Sequence, residues 1–326
     1  MKRASAPPDD ALVGHLGDGA AVRVGLAGEQ IAALTAGPDT ARWLWSPIID
    51  SHVHVTYWPV ADQLARTGVE AVVDLAAPEP TLDHAADPHD ASIDVLAAGP
   101  MLTRPGGYPL ASWGADGYGV ACADAASVTA VIDRLAAHGA RVIKLALDRD
   151  GLDPALIPTA VAAAHAHQLK VAVHALSDAS AAAAGRAGAD VLAHTPVEPL
   201  SDTTIAWWRG RAVISTLAAF GGRATTLDNL RRLRAAGAIV LYGTDLGNTR
   251  IAGPNPDELG LLRAAGLDDA AITAAMTTAP AAFWGLAFEL APGRAASFLV
   301  LDGDPRRDAR VLLAPRAVWQ RGRRVH

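Results

Sequence analysis

The stretch Ile48-Ile49-Asp50-Ser51-His52-Val53-His54-Val55 decides how the chain is read. Apolar, mostly β-branched residues alternate there with Asp50, His52 and His54. A β-strand sends residues i, i+2 and i+4 to one face, so the three polar side chains are expected to converge. Two imidazoles two residues apart at a strand end make half of a metal site. The pattern is short, though, and the chain holds 11 histidines. His165-Ala166-His167 repeats the spacing in a helical stretch, where positions i and i+2 do not face each other. The first pair therefore needs partners from elsewhere.

Outward from this strand the chain settles into a rhythm. β-branched runs at 69–75, 93–98, 142–147, 171–175, 191–193, 212–217 and 239–242 alternate with Ala-rich helical stretches. With 48–55 they make eight strand candidates. Gly139, Gly188 and Gly237 stop the preceding helices. Alternating strand and helix argues for an α/β fold with a parallel sheet, and eight units for a closed (β/α)8 TIM-like barrel. An open doubly wound sheet is the structural alternative, but no Gly-x-Gly-x-x-Gly follows the first strand.

The flanks differ. Residues 1–9 are polar and Pro-containing and are expected to be disordered, and 20–34 reads as a hairpin turning at Gly28-Glu29. Beyond the eighth strand, 256–265 and 268–279 look helical, then strands are expected at 297–301 and 317–320, with Asp302-Gly303 as the turn. The two ends are expected to combine into a small β-domain. This divides the chain into 1–46 (N-terminal part of the β-domain), 47–291 (barrel) and 292–326 (C-terminal part).

Composition narrows the function. The 326 residues suffice for a full core, and 51% are hydrophobic, with alanine a large share. A net charge of −6 disfavours a nucleic-acid partner. The basic runs at 231–234 and 321–324 are short enough to be a solvated helix face and a polar terminus. Cys122 alone cannot form an internal disulfide and fits a reducing cytoplasm. Met1-Lys2-Arg3 leads into no apolar segment of a secretory signal, and no apolar run reaches the roughly 18 residues of a membrane span. A soluble cytoplasmic protein with a small-molecule substrate is expected, which leaves room for a homo-oligomer.

In a barrel, residues at the C-terminal ends of strands face the active-site mouth. The first strand candidate presents His52 and His54, the fourth Lys144, the fifth His174, the sixth His194 and the eighth Asp245. Each has a bland alternative: a core histidine, a lysine that snorkels to the rim, an aspartate that caps a helix. Five strands contributing ligand-type residues at the same end argue against coincidence.

Asp-x-His-x-His on strand one, Lys on strand four, His on strands five and six and Asp on strand eight resemble the amidohydrolase superfamily. Residues 277–286, Thr-Thr-Ala-Pro-Ala-Ala-Phe-Trp-Gly-Leu, and 293–305, Gly-Arg-Ala-Ala-Ser-Phe-Leu-Val-Leu-Asp-Gly-Asp-Pro, are similar to its late helix and return strand. Residues 139–144 are most similar to the imidazolonepropionase-like and prolidase-like dipeptidase branch. The chain departs from the pattern at Ser46-Pro47, in its short N-terminal part, and at Ala279 and Ser297, where the family has Asn and Asp.

The resemblance implies a binuclear hydrolase. His52, His54 and Asp245 would hold one divalent ion and His174 and His194 the other. Lys144, carboxylated by CO2 to a carbamate, would bridge both. Zn is implied first, with Mn, Fe, Co or Ni feasible. A hydroxide shared by the ions would attack a C–N bond (amide, cyclic amide or dipeptide), and Asp245 would relay its proton. Lactone or ester hydrolysis on the same site, a mononuclear deaminase and a ligand-binding barrel are the alternatives. The deaminase is disfavoured because Ala175-Leu176-Ser177-Asp178 follows His174 without the expected Glu. Asp50 reads as orienting its neighbours. For substrate, Arg104 is a candidate for a carboxylate and Tyr108 for an amide or carbonyl, with Tyr57 and Trp58 as a pocket wall. A solvated turn and a simple barrel cover are the respective alternatives.

Overall fold

The computed structural model describes residues 12–85, 92–148 and 150–326; the expected disorder at 1–9 lies outside them. The two chain ends build one sheet. Its N-terminal strands are β1 (Val13–His15), β2 (Ala21–Ala27), β3 (Gln30–Ala36) and β4 (Trp43–Trp45). The expected hairpin is β2–β3, closed at Ala27↔Gln30, where Gly28 supplies a φ of 60°. The short β1 and β4 carry too few residues to show alternation in the sequence. Yet β4 joins the ends, pairing antiparallel with the return strand at Leu299↔Trp45.

Between these ends, ten further strands follow in chain order. They are β5 (Ile48–Val53), β6 (Val69–Asp74), β7 (Asp94–Ala97), β8 (Met101–Thr103), β9 (Gly119–Ala121), β10 (Val142–Ala146), β11 (Lys170–His174), β12 (Val191–Leu192), β13 (Ala212–Ile214) and β14 (Ile239–Leu241). All their pairings are parallel, in the orders β5-β6-β7 and β14-β13-β12-β11-β10-β8-β9. The expected third strand at 93–98 is thus divided. β7 pairs with β6, whereas β8 pairs with β10, and Gly99 (φ 70°) and Pro100 break the ladder between them. The outer edges of the two sheets meet. Ser51 N–H donates to Tyr242 O (2.9 Å), Asp245 N–H to His52 O (2.8 Å) and His54 N–H to Leu246 O (2.6 Å).

The chain closes with β15 (Phe298–Leu301), β16 (Ala317–Gln320) and β17 (Arg323–Arg324), which complete the terminal sheet in the order β17-β16-β15-β4-β1-β2-β3. Asp302-Gly303 is not the turn between β15 and β16. The connection runs over 302–316 and contains the 3-10 helix Ala309–Leu313. Thr273 Oγ1 donates to Pro305 O (2.7 Å), so the loop docks on the helix Asp269–Met276 instead of reversing at once.

Alternation along the parallel strands sorts two cores. Val142, Ala172, Val191, Ala212, Ile214 and Leu241 face inward with Trp284, while Ile143, Leu145, Val171, Val173, Leu192 and Val213 pack outward. The helix Ala125–Ala137 shows how the outer layer is specified. Asp124 caps it in a reciprocal box with Ser127, and Val128, Val131, Ile132 and Leu135 bury the i, i+3, i+4, i+7 stripe. Cutting Leu135 to Ala in that stripe costs about 2–5 kcal/mol. No helix among the described residues is long and apolar enough to cross a membrane.

Candidate metal centre

Lys144 shares the inward parity of Val142, and His174 that of Ala172, because each lies two residues further along its strand. Strand β5 is less simple. From Asp50 to Val53 it takes three steps while β6 takes two, from Val72 to Asp74. Such an extra residue re-aims side chains. Ser51 meets the inward core, accepting a hydrogen bond from Trp284 Nε1 at 3.1 Å. Asp50 does not share the histidines' face as the alternation suggested. It turns to the end of β14, accepting from the His52 amide (3.1 Å), the Thr244 amide (3.0 Å) and the Thr244 hydroxyl (2.5 Å). Its expected orienting role is what these bonds perform.

His52, His54 and Asp245 are brought together. The two Nε2 atoms lie 3.3 Å apart, and Asp245 Oδ1 lies 3.5 Å from His52 Nε2 and 3.3 Å from His54 Nε2. Four donors about 2.0–2.1 Å from one tetrahedral ion stand roughly 3.3–3.4 Å from each other. The three separations match that edge. Asp245 holds a left-handed φ of 55°, uncommon outside glycine, and Asn248 Nδ2 donates to its Oδ1 at 3.0 Å. His194 packs against His52, ring centroids 4.4 Å apart, and His174 against His194 at 5.0 Å. The six expected side chains are all buried.

Their protonation suits ligation. Burial, reinforced by Lys144, holds His52 well below the ordinary histidine value, and burial with His52 and His174 does the same to His194. Burial pulls Lys144 down to about 7 against the opposing pull of Asp245, so a neutral amine is accessible near neutrality. For Asp245, burial favours the acid, but His52 and His54 together outweigh it and keep the carboxylate ionised. Imidazole nitrogens and an ionised carboxylate are a donor set for a divalent cation. Further contacts set the rings. His52 Nδ1 meets Ala193 O at 2.7 Å, which leaves Nε2 for the cluster. Buried His54 Nδ1 has no hydrogen-bond partner but lies 3.9 Å from Asp74 Oδ1.

An aromatic wall overlies the cluster. Trp113 packs on His54 (5.3 Å), Tyr108 on His174 (5.1 Å) and Phe220 on His194 (4.9 Å). Trp113 Nε1 donates to the Tyr108 hydroxyl at 3.2 Å. Tyr57 and Tyr118 extend the wall, so three of the chain's four tyrosines gather here. Trp58 stands further out, 38% exposed, with the Arg250 guanidinium 4.1 Å above it. Arg104 lies elsewhere. It pairs with Asp150 at 2.5 Å and lines a cleft with Cys122 and Pro154. Sequence reasoning missed Asp74, Trp113, Tyr118, Phe220 and Arg250. The only signal for any of them was the aromatic content of residues 113–118, just beyond the Gly- and Pro-rich residues 105–109.

No family model matches the chain, and no curated protein does. Solved structures do. An amidohydrolase superposes with a TM-score of 0.76 at 20% identity, covering 93% of this chain and 94% of the other. A Xaa-Pro dipeptidase with methionine bound in its active site gives 0.77 at 17%, covering 93% and 94%. The ochratoxinase of A. niger gives 0.74 at 17%, covering 94% and 91%. On these superpositions, the chain has the fold of the amidohydrolase and dipeptidase structures.

Proposed function

We propose that the chain is a metal-dependent hydrolase of the amidohydrolase superfamily, in its prolidase-like branch, and that it cleaves a C–N bond of a small substrate. The observation that carries this reading is the set of three separations among His52 Nε2, His54 Nε2 and Asp245 Oδ1, 3.3–3.5 Å, in a buried site at the strand ends. The three hydrogen bonds joining β5 to the end of β14 support a closed eight-stranded barrel, which would put all six side chains at one mouth.

In this reading His52, His54 and Asp245 hold one divalent ion, zinc by the chemistry of imidazole and carboxylate donors, and His174 and His194 hold a second. Lys144, pulled down to about 7 by burial, would carry the carbamate and so supply a carboxylate-like ligand. Bound ions of this kind polarise a carbonyl and lower the pKa of water. Asp245 accepts the proton that the attacking water gives up and returns it to the leaving nitrogen, steered by Asn248. Trp113, Tyr108 and Phe220 exclude water above the histidines and favour an apolar group beside the scissile bond. With Arg104 tied to Asp150, Tyr108 and Tyr57 remain the substrate-facing candidates of the four, with Trp58 at the outer rim.

Purified protein, stripped by chelator and reloaded with zinc, should be assayed on N-acyl amino acids, dipeptides, cyclic amides and lactones. Amide cleavage that disappears on stripping and returns on reloading is expected. Cleavage indifferent to the chelator, or confined to lactones, would overturn the assignment.

A further inference from the structure

We propose that Thr216 is the positioning residue for His194 and that Glu258 holds Thr216 in place. The inference rests on the metal-site reading above. Strand β13 donates no side chain to the ligand set, yet its exit holds a constrained backbone beside the cluster. Thr216 has a φ of 41°, in the left-handed region that β-branched residues rarely enter. Its hydroxyl lies 3.0 Å from His194 Nδ1, and both side chains are buried.

Three contacts keep the backbone there. Thr216 N–H donates to Gly243 O at 3.2 Å. The next two amides, of Leu217 and Ala218, donate to the two oxygens of Glu258 at 3.0 and 2.7 Å. Glu258 is fully buried and comes from the helix Pro256–Ala264, so the clamp is made across elements and not by local turn chemistry. The same exit carries Phe220 onto the His194 ring.

The consequence is a choice of tautomer. A neutral imidazole has one N–H, and the nitrogen that carries it cannot coordinate. With Nε2 bare for an ion, the ring's proton sits on Nδ1, and the Thr216 hydroxyl is the acceptor that satisfies it there. Without that acceptor, the buried Nδ1 is better off deprotonated, and Nε2 takes the proton and is lost as a ligand.

The test uses the full chain with Thr216→Val, which keeps shape and β-branching but removes the hydroxyl, and Thr216→Ser, which restores it. Zinc is titrated into stripped protein against a fluorescent chelator, and the His194 tautomer is read from long-range 1H–15N spectra of 15N-histidine-labelled stripped protein. The expected Thr216→Val result is a loss of about 10–100-fold in affinity for one of two ions, with the other unchanged. Its His194 should move to the Nε2–H form, and Thr216→Ser should recover both properties. Glu258→Gln, whose amide oxygen can serve only part of the clamp, should show a smaller change in the same direction. Two wild-type affinities and an unchanged tautomer in Thr216→Val would overturn the role of Thr216, and the same result in Glu258→Gln would overturn that of Glu258. Wild-type protein that takes no second ion would instead refute the functional reading, and the inference with it.

Discussion

Asp50 offers a sharp perturbation, because two of its three bonds join β5 to the turn that bears Asp245. Asp50→Ala deletes the acceptor and strands three buried donors: the amides of His52 and Thr244 and the Thr244 hydroxyl. Each buried donor left unpaired costs about 1–3 kcal/mol, so the loss is about 3 kcal/mol at the least. Asp50→Asn keeps Oδ1 for both amides, and its NH2 can donate to a rotated Thr244 hydroxyl, so the expected loss is only about 1 kcal/mol. Urea unfolding of stripped protein, followed by tryptophan fluorescence, separates the two. Zinc affinity should follow the same order, falling 10–100-fold in the Ala variant as Asp245 loses its fixed turn. Equal destabilisation by Ala and Asn, or an Ala variant with wild-type zinc affinity, would refute the reasoning.

Two other perturbations bear on separate parts of the molecule. Asp245→Asn should keep most of the metal, since an amide oxygen still ligates weakly, while kcat falls by about 10²–10⁴ for want of the proton relay. Near-wild-type turnover would leave Asp245 as scaffold. Glu70 lies buried between β6 and the terminal sheet, accepting from Ser297 Oγ at 2.7 Å, and burial pushes its acid up to about 7. The folded state then binds a proton that the unfolded state has released, so stability declines as pH rises from about 4.5 to 7. At about 1.4 kcal/mol per unit the whole window is worth on the order of 3 kcal/mol. Glu70→Gln should therefore gain on the wild type between pH 4 and pH 8 in urea midpoints, and parallel curves at the two pH values would contradict this.

The legible parts of the molecule are those with a period. The βα rhythm, the hairpin at Gly28-Glu29 and the ligand-type residues at strand ends all follow from side-chain alternation, and the structure brings His52, His54 and Asp245 into one buried group with His194 and His174 packed beside it. What the sequence hid depends on partners far along the chain. The extra residue in β5 leaves no composition signal, and it is why Asp50 and the histidines part company. The break at Gly99-Pro100 was visible as turn residues, but not its effect of dividing a strand between two sheets. Arg104 looked like an anion site until Asp150, over forty residues later, took its guanidinium. Ser297 stands where the family pattern has Asp, and its hydroxyl serves the buried Glu70. Thr216 and Glu258 are 42 positions apart and ordinary as residue types. Only the fold shows that one backbone exit depends on both.

On the proposed function, six side chains from five strands form one binuclear site. Its most direct test is the metal content of protein reloaded with zinc in the presence of bicarbonate and desalted, with zinc measured by elemental analysis and protein by amino-acid analysis. Two ions per wild-type chain and fewer than two in Lys144→Ala are expected. A wild-type chain that holds one ion or none, or a Lys144→Ala chain that still holds two, would contradict it.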